Sequence, residues 1–155
     1  MINQNLADTG SQSVIVEMTM SDYDSVFALL RETPGVVLRD ADSRDAIARY
    51  LKRNPGLSFV ARNGDRIVGC VLSGHDGRRG FLHHLAVDPS CRRCGIGSAL
   101  VRLCLERLQR QGIRKSHVDV LLGNETAHLF WSRRGWERRN ELVKYSFVSS
   151  ADQST

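Results

Sequence analysis

The spacing of apolar residues in the first third of the chain predicts one strand followed by two helices. Residues 14–18, VIVEM, alternate between apolar and polar positions and form a run typical of a short strand. Apolar residues then recur every three or four positions in two segments, which indicates amphipathic helices. The first is expected to begin at the N-cap residue Ser21 and to stop before Pro34, and the second to run from about Ser43 to Asn54.

Three β-prone runs follow in the middle of the chain. They lie within residues 57–88 and are separated by the pair Asn63-Gly64 and by the glycine-containing turn 74–80. Because Asn-Gly between β-prone runs is a strong hairpin signal, we expect three consecutive antiparallel strands here.

Helices and strands alternate in the last third of the chain. Residues 95–111 carry apolar side chains at helical spacing and end at Gly112, and a strand is predicted over 116–122. A short helix is expected over about 124–134 and a closing strand over 142–148. The whole order predicts an α/β (α+β) fold with a mixed central sheet flanked by helices.

Length and composition fit one folded domain. The chain has 155 residues, of which 41% are hydrophobic and 25% charged, and this argues against disorder. We expect a single domain over residues 1–155, with a core of about 14–148 and loose polar ends. The first 13 residues are polar and no apolar run approaches a membrane span, so we expect a cytoplasmic protein without secretion signal or membrane anchor.

Four cysteines raise the question of a metal site or a disulfide. Cys91 and Cys94 have the C-x-x-C spacing, but neither Cys70 nor Cys104 supplies the second ligand pair that a structural zinc site needs. We therefore expect no metal. Free thiols are the favoured state, and a redox pair at this position is left open.

The net charge of +5 is concentrated in one segment. Residues 88–115 contain seven basic and two acidic residues, which is the whole excess. A focused basic region favours an anionic partner, either a phosphate-bearing cofactor or a nucleic acid. A nucleic-acid-binding module is one hypothesis, but no aromatic-rich strand or reading helix supports it, and we expect no nucleic-acid partner.

The loop CRRCGIGSA, residues 91–99, joins a predicted strand to a predicted helix. Helix N-termini attract anions because their first amides lack intrahelical partners and the macrodipole adds positive charge. Gly95 and Gly97 remove side chains that would keep a bulky anion away. A dinucleotide-binding fingerprint needs a third glycine where Leu100 stands, and the Gly-Lys-Ser/Thr of a P-loop is absent, so the loop predicts a different diphosphate site.

The motifs around this loop resemble those of the GNAT superfamily of acyl-CoA-dependent N-acyltransferases. Arg92, Gly95 and Gly97 fill its signature of Arg or Gln, two residues, Gly, one residue, then Gly or Ala. The resemblance extends to LAV, residues 85–87, and to NETAHLFWSRRGW, residues 124–136, which is similar to the family's Asn-x-x-Ala-x-x-Phe-Tyr-x-x-x-Gly-Phe segment. It covers nearly the whole chain and implies a mostly antiparallel sheet that splays between its fourth and fifth strands.

The resemblance implies acetyl-CoA as cosubstrate and direct transfer to an amine of a small molecule or a protein. The amides of residues 93–98 would hold the CoA diphosphate, and the backbone around Leu85 and Val87 would pair with the pantetheine arm, with Asn124 beside it. Asn124 is equally well explained as the N-cap of the following helix. The expected cofactor-binding residues are Leu85, Ala86, Val87, Arg92, Arg93, Cys94, Gly95, Ile96, Gly97, Ser98, Asn124, Ala127, Phe130 and Trp131.

Two catalytic groups are expected on the strand before the loop. Strand alternation would place Phe81, His83, Leu85 and Val87 on one face. HHLAV resembles the corresponding strand of serotonin N-acetyltransferases, where a histidine at the His83 position lies in the acceptor cavity. His83 is therefore the candidate general base, with a packing role as the alternative, and His84 is expected to be structural or exposed. The resemblance also implies that the Leu85 amide stabilises the oxyanion.

Trp131 departs from the family pattern. It stands where the family usually has a tyrosine thought to protonate the leaving thiolate, and an indole N–H donates hydrogen bonds but is no acid. Tyr145 or water is considered in its place, and an alkyl thiol of pKa about 8.5 leaves tolerably without prior protonation. A non-catalytic acyl-CoA sensor stays the alternative to an enzyme. The acceptor and a homodimer are left open, because acidic and basic residues cancel over residues 21–54.

Overall fold

The computed structural model describes residues 12–149 and contains a five-stranded sheet with helices on both faces. The strands lie in the spatial order of the sequence, and three neighbouring pairs are antiparallel whereas the last is parallel. They are β1 (Val14–Glu17), β2 (Phe59–Asn63), β3 (Arg66–His75), β4 (Gly80–Val87) and β5 (Ser116–Val118). The mixed, mostly antiparallel sheet that the sequence predicted is confirmed.

The helices divide into two layers, one on each face of the sheet. They are α1 (Tyr23–Glu32), α2 (Arg44–Arg53), α3 (Ile96–Arg110) and α4 (Glu125–Ser132). Apolar side chains of α1 and α2 pack with one set of strand residues, including Val60 and Cys70. Apolar side chains of α3 pack with another set, including Phe59 and Val71. The two cores explain why helical apolar stripes and strand alternation were both visible in the sequence.

The starts of the first two helices differ in how well they were predicted. The N-cap expected at Ser21 is wrong, because a 3-10 turn, Met20–Asp22, precedes α1 and Asp22 occupies the N-cap position, without a side-chain hydrogen bond to the helix. The Asp22 carboxylate accepts a hydrogen bond from the Thr19 amide at 2.9 Å. Ser43 is the N-cap of α2 as expected, and its Oγ accepts from the Ala46 amide.

The closing strand predicted over 142–148 is wrong, since residues 133–149 contain no helix or strand. The predicted strand over 116–122 is reduced to the three residues of β5. Tyr145 and Phe147 are each 92% exposed. The residues of 142–148 are β-prone in composition, but a strand also needs a neighbouring strand to pair with, and this segment has none among the described residues. The expected loose ends, 1–11 and 150–155, lie outside the described residues.

β4 contains a β-bulge at His84 and Leu85, which together oppose the single residue Val71 of β3. His84 has a φ of +52°, in the left-handed region that non-glycine residues rarely occupy. The extra residue reverses the alternation, so His83 lies against Tyr50 of α2 whereas Leu85 packs with the core under α3. The prediction that odd-numbered residues of this strand share one face is therefore wrong.

The last two strands separate part-way along their length. Parallel pairing of β4 with β5 ends at Leu82 and Val118, while β4 continues to Val87 with no strand beside it on that edge within residues 12–149. This confirms the predicted splay. In the same part of the chain, no helix has the length and apolar character needed to cross a membrane.

Candidate active site

A cleft of about 330 Å³ opens where β4 and β5 separate. Its walls come from the bulge of β4, the chain after β5, the loop after α1 and one face of α4. Five residues singled out from the sequence line it: His83, Leu85, Asn124, Ala127 and Trp131. The fold therefore brings the candidate base, the candidate oxyanion donor and part of the expected cofactor-binding set to one opening.

The loop before α3 carries a run of unpaired backbone amides. From Arg93 to Ser98, no N–H donates to an acceptor within residues 12–149. Gly95 is the N-cap with a φ of +77°, and a Cβ there would meet no atom within 4 Å. Amides freed in this way at a helix N-terminus are suited to an anion with several oxygens.

The two arginines of the loop differ in their partners. The Arg92 Nε donates a hydrogen bond to the Val87 carbonyl at 3.3 Å, so this side chain stabilises the join between β4 and the loop. Arg93 is exposed and has no hydrogen bond or ion pair within residues 12–149. Arg93 is thus a loop cation fully available to a ligand, whereas the Arg92 Nε is engaged with the Val87 carbonyl and its other N–H groups stay available.

Arg134 is a further cation at this loop that sequence reasoning missed. Its guanidinium lies over the Phe130 ring, 3.5 Å from Cζ to the ring centroid. It also donates to the Ser98 Oγ from Nε at 3.0 Å and from Nη2 at 2.5 Å. The signal that could have found it is its spacing of four residues, one helical turn, from Phe130.

Close packing fixes α4 against the loop and the cleft. A Cβ on Gly97 would lie 3.2 Å from the Phe130 ring, which is a tight contact, so glycine favours this close approach of α4 to the loop. Asn124 caps α4, because its Oδ1 accepts from the Ala127 amide at 3.1 Å. Trp131 is 7% exposed and packs edge-on against Phe130, so it serves as both core residue and cleft wall.

The cysteines show no bonded pair. All four are free thiols, including Cys91 and Cys94 beside the arginines of the loop. Burial raises the pKa of both Cys70 and Cys104 to about 12, so these two are protonated at neutral pH. Within residues 12–149, no group of three or more His, Cys, Asp or Glu side chains is arranged to hold a metal ion.

His83 lies at the centre of the site, with its ring near those of Tyr50 and Phe81 at centroid distances of 6.2 and 6.3 Å. Burial, and then the neighbouring His84, lower the pKa of His83 below its ordinary value, against an opposing effect of Asp119. The imidazole is consequently neutral at neutral pH and able to accept a proton.

Comparison with known proteins identifies the family. The profile of the Acetyltransferase (GNAT) family matches residues 23–136. The chain belongs to this family of acetyltransferases. It is 29% identical over 123 residues to an acetyltransferase of Yersinia enterocolitica, a match that covers 79% of this chain and 86% of the relative.

Two further GNAT comparisons agree with this. An acetyltransferase of Pectobacterium atrosepticum is 38% identical over 79 residues, which is 51% of this chain and 56% of that relative, so the match spans little more than half of its length. The solved structure of the aminoglycoside N-acetyltransferase AAC(6')-Iy in complex with CoA has the same fold. It superposes with a TM-score of 0.73 at 20% identity, over 92% of this chain and 99% of that one.

A hydrogen bond that the sequence did not reveal joins the GNAT cleft to the loop before α2. His84 Nε2 lies 2.6 Å from the Asp42 Oδ1, and both side chains are largely buried. Burial alone would raise the pKa of Asp42, but hydrogen bonds from His84 and from the Arg39 amide outweigh it and hold that pKa below its ordinary value. The expectation that His84 is structural agrees with this contact, which anchors the bulge.

We expect Asp42→Ala to lower the free energy of unfolding at pH 7 by about 1.5–3 kcal/mol, the usual value of a hydrogen bond to a charged group. The folded-state pKa of Asp42 is lowered, so its contribution is present above the unfolded-state pKa of about 3.9 and is lost as pH falls below it. Urea denaturation of the wild type and of Asp42→Ala from pH 7 to pH 3 measures the difference between their free energies of unfolding. This difference should become smaller below about pH 4.

Asp40→Ala is the matched control for this substitution. Asp40 lies in the same 3-10 turn, and its Oδ1 accepts only from the Ala41 amide. Asp40→Ala should lower the free energy of unfolding at pH 7 by less than Asp42→Ala does. Equal losses for both variants would show that the turn, rather than the contact with His84, is responsible.

Proposed function

We propose that this GNAT protein transfers an acetyl group from acetyl-CoA to a primary amine, by direct attack within a complex that holds both substrates. The observation that carries the proposal is the run of unpaired amides from Arg93 to Ser98, beside the cleft between β4 and β5. The related fold of an aminoglycoside N-acetyltransferase whose structure contains CoA supports the amine acceptor and the donor. We further propose that the chain is one cytoplasmic acetyltransferase domain.

The donor would be held by backbone more than by side chains. The diphosphate would lie against the amides of residues 93–98, with Arg93 and Arg134 adding positive charge. The pantetheine arm would run along the edge of β4 that lacks a strand, which leads to Leu85 in the cleft. The residues present fit this ligand, because a Cβ at Gly95 meets open space and neighbouring amides lack other acceptors.

His83 would act as general base. An alkyl ammonium with a pKa of about 10.4 has to lose a proton before its nitrogen can attack the thioester carbonyl. The neutral imidazole of His83 would take that proton, directly or through water, before the lone pair of the amine forms the new C–N bond. The nitrogen would then lose its second proton to water as the tetrahedral intermediate collapses. The Leu85 amide would donate to the oxyanion until the C–S bond breaks and the thiolate leaves.

Trp131 would confine the reacting groups without supplying a proton. Its indole is buried in the cleft wall and is no acid. The tyrosine considered as a substitute, Tyr145, is 92% exposed and is not among the residues lining the cleft. We therefore propose that the thiolate leaves unprotonated and takes a proton from water, which its pKa of about 8.5 allows.

The proposal is tested in two stages. Thermal unfolding with acetyl-CoA, CoA, ATP and NAD should show stabilisation by the first two, worth about 2.7 kcal/mol at 100 times the dissociation constant. Release of free thiol from acetyl-CoA is then followed with a panel of amines. Stabilisation by NAD and not by CoA would reject the donor.

Two rival functions have distinct outcomes in the same experiments. CoA binding without transfer to any amine would favour an acyl-CoA sensor, the reading that Trp131 motivates. A nucleic-acid-binding module would instead show affinity for DNA or RNA that falls steeply with salt, and no response to CoA.

A further inference from the structure

A second cavity, of about 200 Å³, adjoins the candidate base on the side of α2. His83 is the only residue, among those described, that lines both this cavity and the cleft between β4 and β5. The other walls come from the end of α2, the end of β3 and the start of β4. A molecule in this cavity would therefore reach the proposed base from a different opening than the acyl donor.

Part of the cavity wall is fixed by internal hydrogen bonds. The Asn54 Nδ2 donates to the Tyr50 carbonyl at 3.2 Å, and its Oδ1 accepts from the His75 amide at 3.0 Å. The His75 ring contacts the Gln111 Oε1 at 2.8 Å and accepts from the Gly77 amide at 2.9 Å. These polar groups are satisfied by the protein, so they shape the cavity without needing a ligand.

Two donors that line the same cavity have no partner. The Tyr50 hydroxyl is buried and forms no hydrogen bond with any of the residues that the structure describes. Burial raises the pKa of Tyr50, so the hydroxyl stays protonated and can donate. The Arg53 guanidinium likewise has no hydrogen bond or ion pair within residues 12–149. Leaving the buried Tyr50 hydroxyl unpaired is costly, and the exposed Arg53 adds a cation without a partner at the same cavity, so the two together favour a ligand that supplies an acceptor.

The charges around the cavity favour an anionic acceptor of hydrogen bonds. Asp76 is its one acidic lining residue, and its Oδ1 already accepts from the amides of Arg78 and Arg79 at 2.8 Å each. Arg53 lies at the same cavity without an acidic partner. Guanidinium groups bind carboxylate and phosphate oxygens in paired, charge-assisted hydrogen bonds.

We propose that this cavity binds the acetyl acceptor, and that the acceptor is a small amine that also carries an anionic group, either a carboxylate or a phosphate. The anionic group contacts Arg53 and the Tyr50 hydroxyl, and the amine lies at His83. This inference rests on the proposed function and adds the substrate class to it. A Cβ on Gly74 would lie 2.6 Å from the Tyr50 Oη and from the Asn54 Cγ, so glycine at this position lets both side chains of the cavity wall pack against β3.

The test compares acceptors of equal length that differ in charge. Initial rates of thiol release are measured with 5-aminopentanoate, 5-aminopentanamide, pentylamine and an aminoalkyl phosphate. The anionic amines should have a kcat/KM about 10- to 100-fold above the neutral ones, as expected for hydrogen bonds to a charged group. Whichever of the carboxylate and the phosphate has the higher kcat/KM shows which anionic group the cavity prefers.

Substitutions then locate the effect. Arg53→Gln should remove most of the preference for anionic amines and leave kcat/KM for pentylamine nearly unchanged. Tyr50→Phe should reduce the preference in the same direction by a smaller factor. Lys52→Gln is the matched control, because Lys52 is the neighbouring exposed cation of α2 and does not line the cavity.

The outcomes separate this inference from the proposed function. If neutral and anionic amines react equally well in all variants, the inference fails while acetyl transfer to amines stands. A preference for diamines that Asp76→Asn abolishes would also overturn it. If no amine reacts, calorimetric titration of the CoA-loaded protein with 5-aminopentanoate decides: binding that requires Arg53 supports the cavity, and no binding rejects it.

Discussion

Replacing Gly95 with valine is expected to weaken CoA binding by at least about 100-fold while the protein stays folded. Gly95 has a φ of +77°, and a side chain there would project into open space at the start of α3. Gly95 is itself one of the residues 93–98, whose amides have no acceptor within residues 12–149. Displacing the diphosphate from two charge-assisted hydrogen bonds, each worth about 1.5–3 kcal/mol, costs about 3 kcal/mol or more.

Gly112→Val provides a control with the same backbone strain. Gly112 follows α3, has a φ of +82° and would also meet no atom within 4 Å of an added Cβ. Each valine should cost about 1–2 kcal/mol of stability through its left-handed conformation. Calorimetric CoA titration and urea unfolding separate the two effects. Unchanged CoA affinity in Gly95→Val would remove the loop from the proposed donor site.

Features encoded by neighbouring residues could be predicted from the sequence. The hairpin between β2 and β3 was predicted correctly, but its two-residue loop is Gly64-Asp65 and not Asn63-Gly64, because Asn63 is the last residue of β2 and pairs with Arg66. Gly64 supplies the φ of +61° at the first loop position. The N-cap Ser43 and the start of α3 after Gly95 depend on one or two residues each. The anion-binding character of the loop was likewise visible, because glycine placement and helix position are both local properties.

Features created by pairing between distant segments could not be predicted. The bulge at His84 arises from the register between β3 and β4, and the residues of β4 alone carry no signal for it. The contact of Asp42 with His84 joins positions 42 residues apart. Arg134 acquires its role only because α4 packs beside Ser98. The closing strand was predicted wrongly for a different reason. The composition of residues 142–148 suits a strand, but no strand of the described residues pairs with this segment.

The bulge also changes the arrangement of the candidate site. With regular alternation, His83 and the Leu85 side chain would share one face of β4. Because of the extra residue, the His83 ring turns toward α2 and the second cavity, while Leu85 packs under α3. The two proposed catalytic groups, an imidazole and a backbone amide, thereby come from positions two residues apart whose side chains lie on different faces of β4.

His83→Ala is expected to lower kcat with the best amine by about 100- to 10,000-fold, the usual contribution of a general base. Burial lowers the pKa of His83, so the wild-type rate should rise with pH through a midpoint below about 6.5 and be level at neutral pH. The variant should lack this rise. Ionisation of the amine near pH 10.4 gives a second rise in both proteins, at about four units higher, and does not obscure the first.

The alternative role of His83, packing between aromatic rings, predicts a different pattern. Groups that influence its ionisation are His84, Asp119, Lys144 and Asp42, and all four side chains are kept in the variant. His117→Ala is the control, because that ring also contacts Phe81 but lines neither cavity. CoA affinity should be nearly intact in both variants. A low-pH rise that persists in His83→Ala, with only stability reduced, would make His83 a packing residue and require another base.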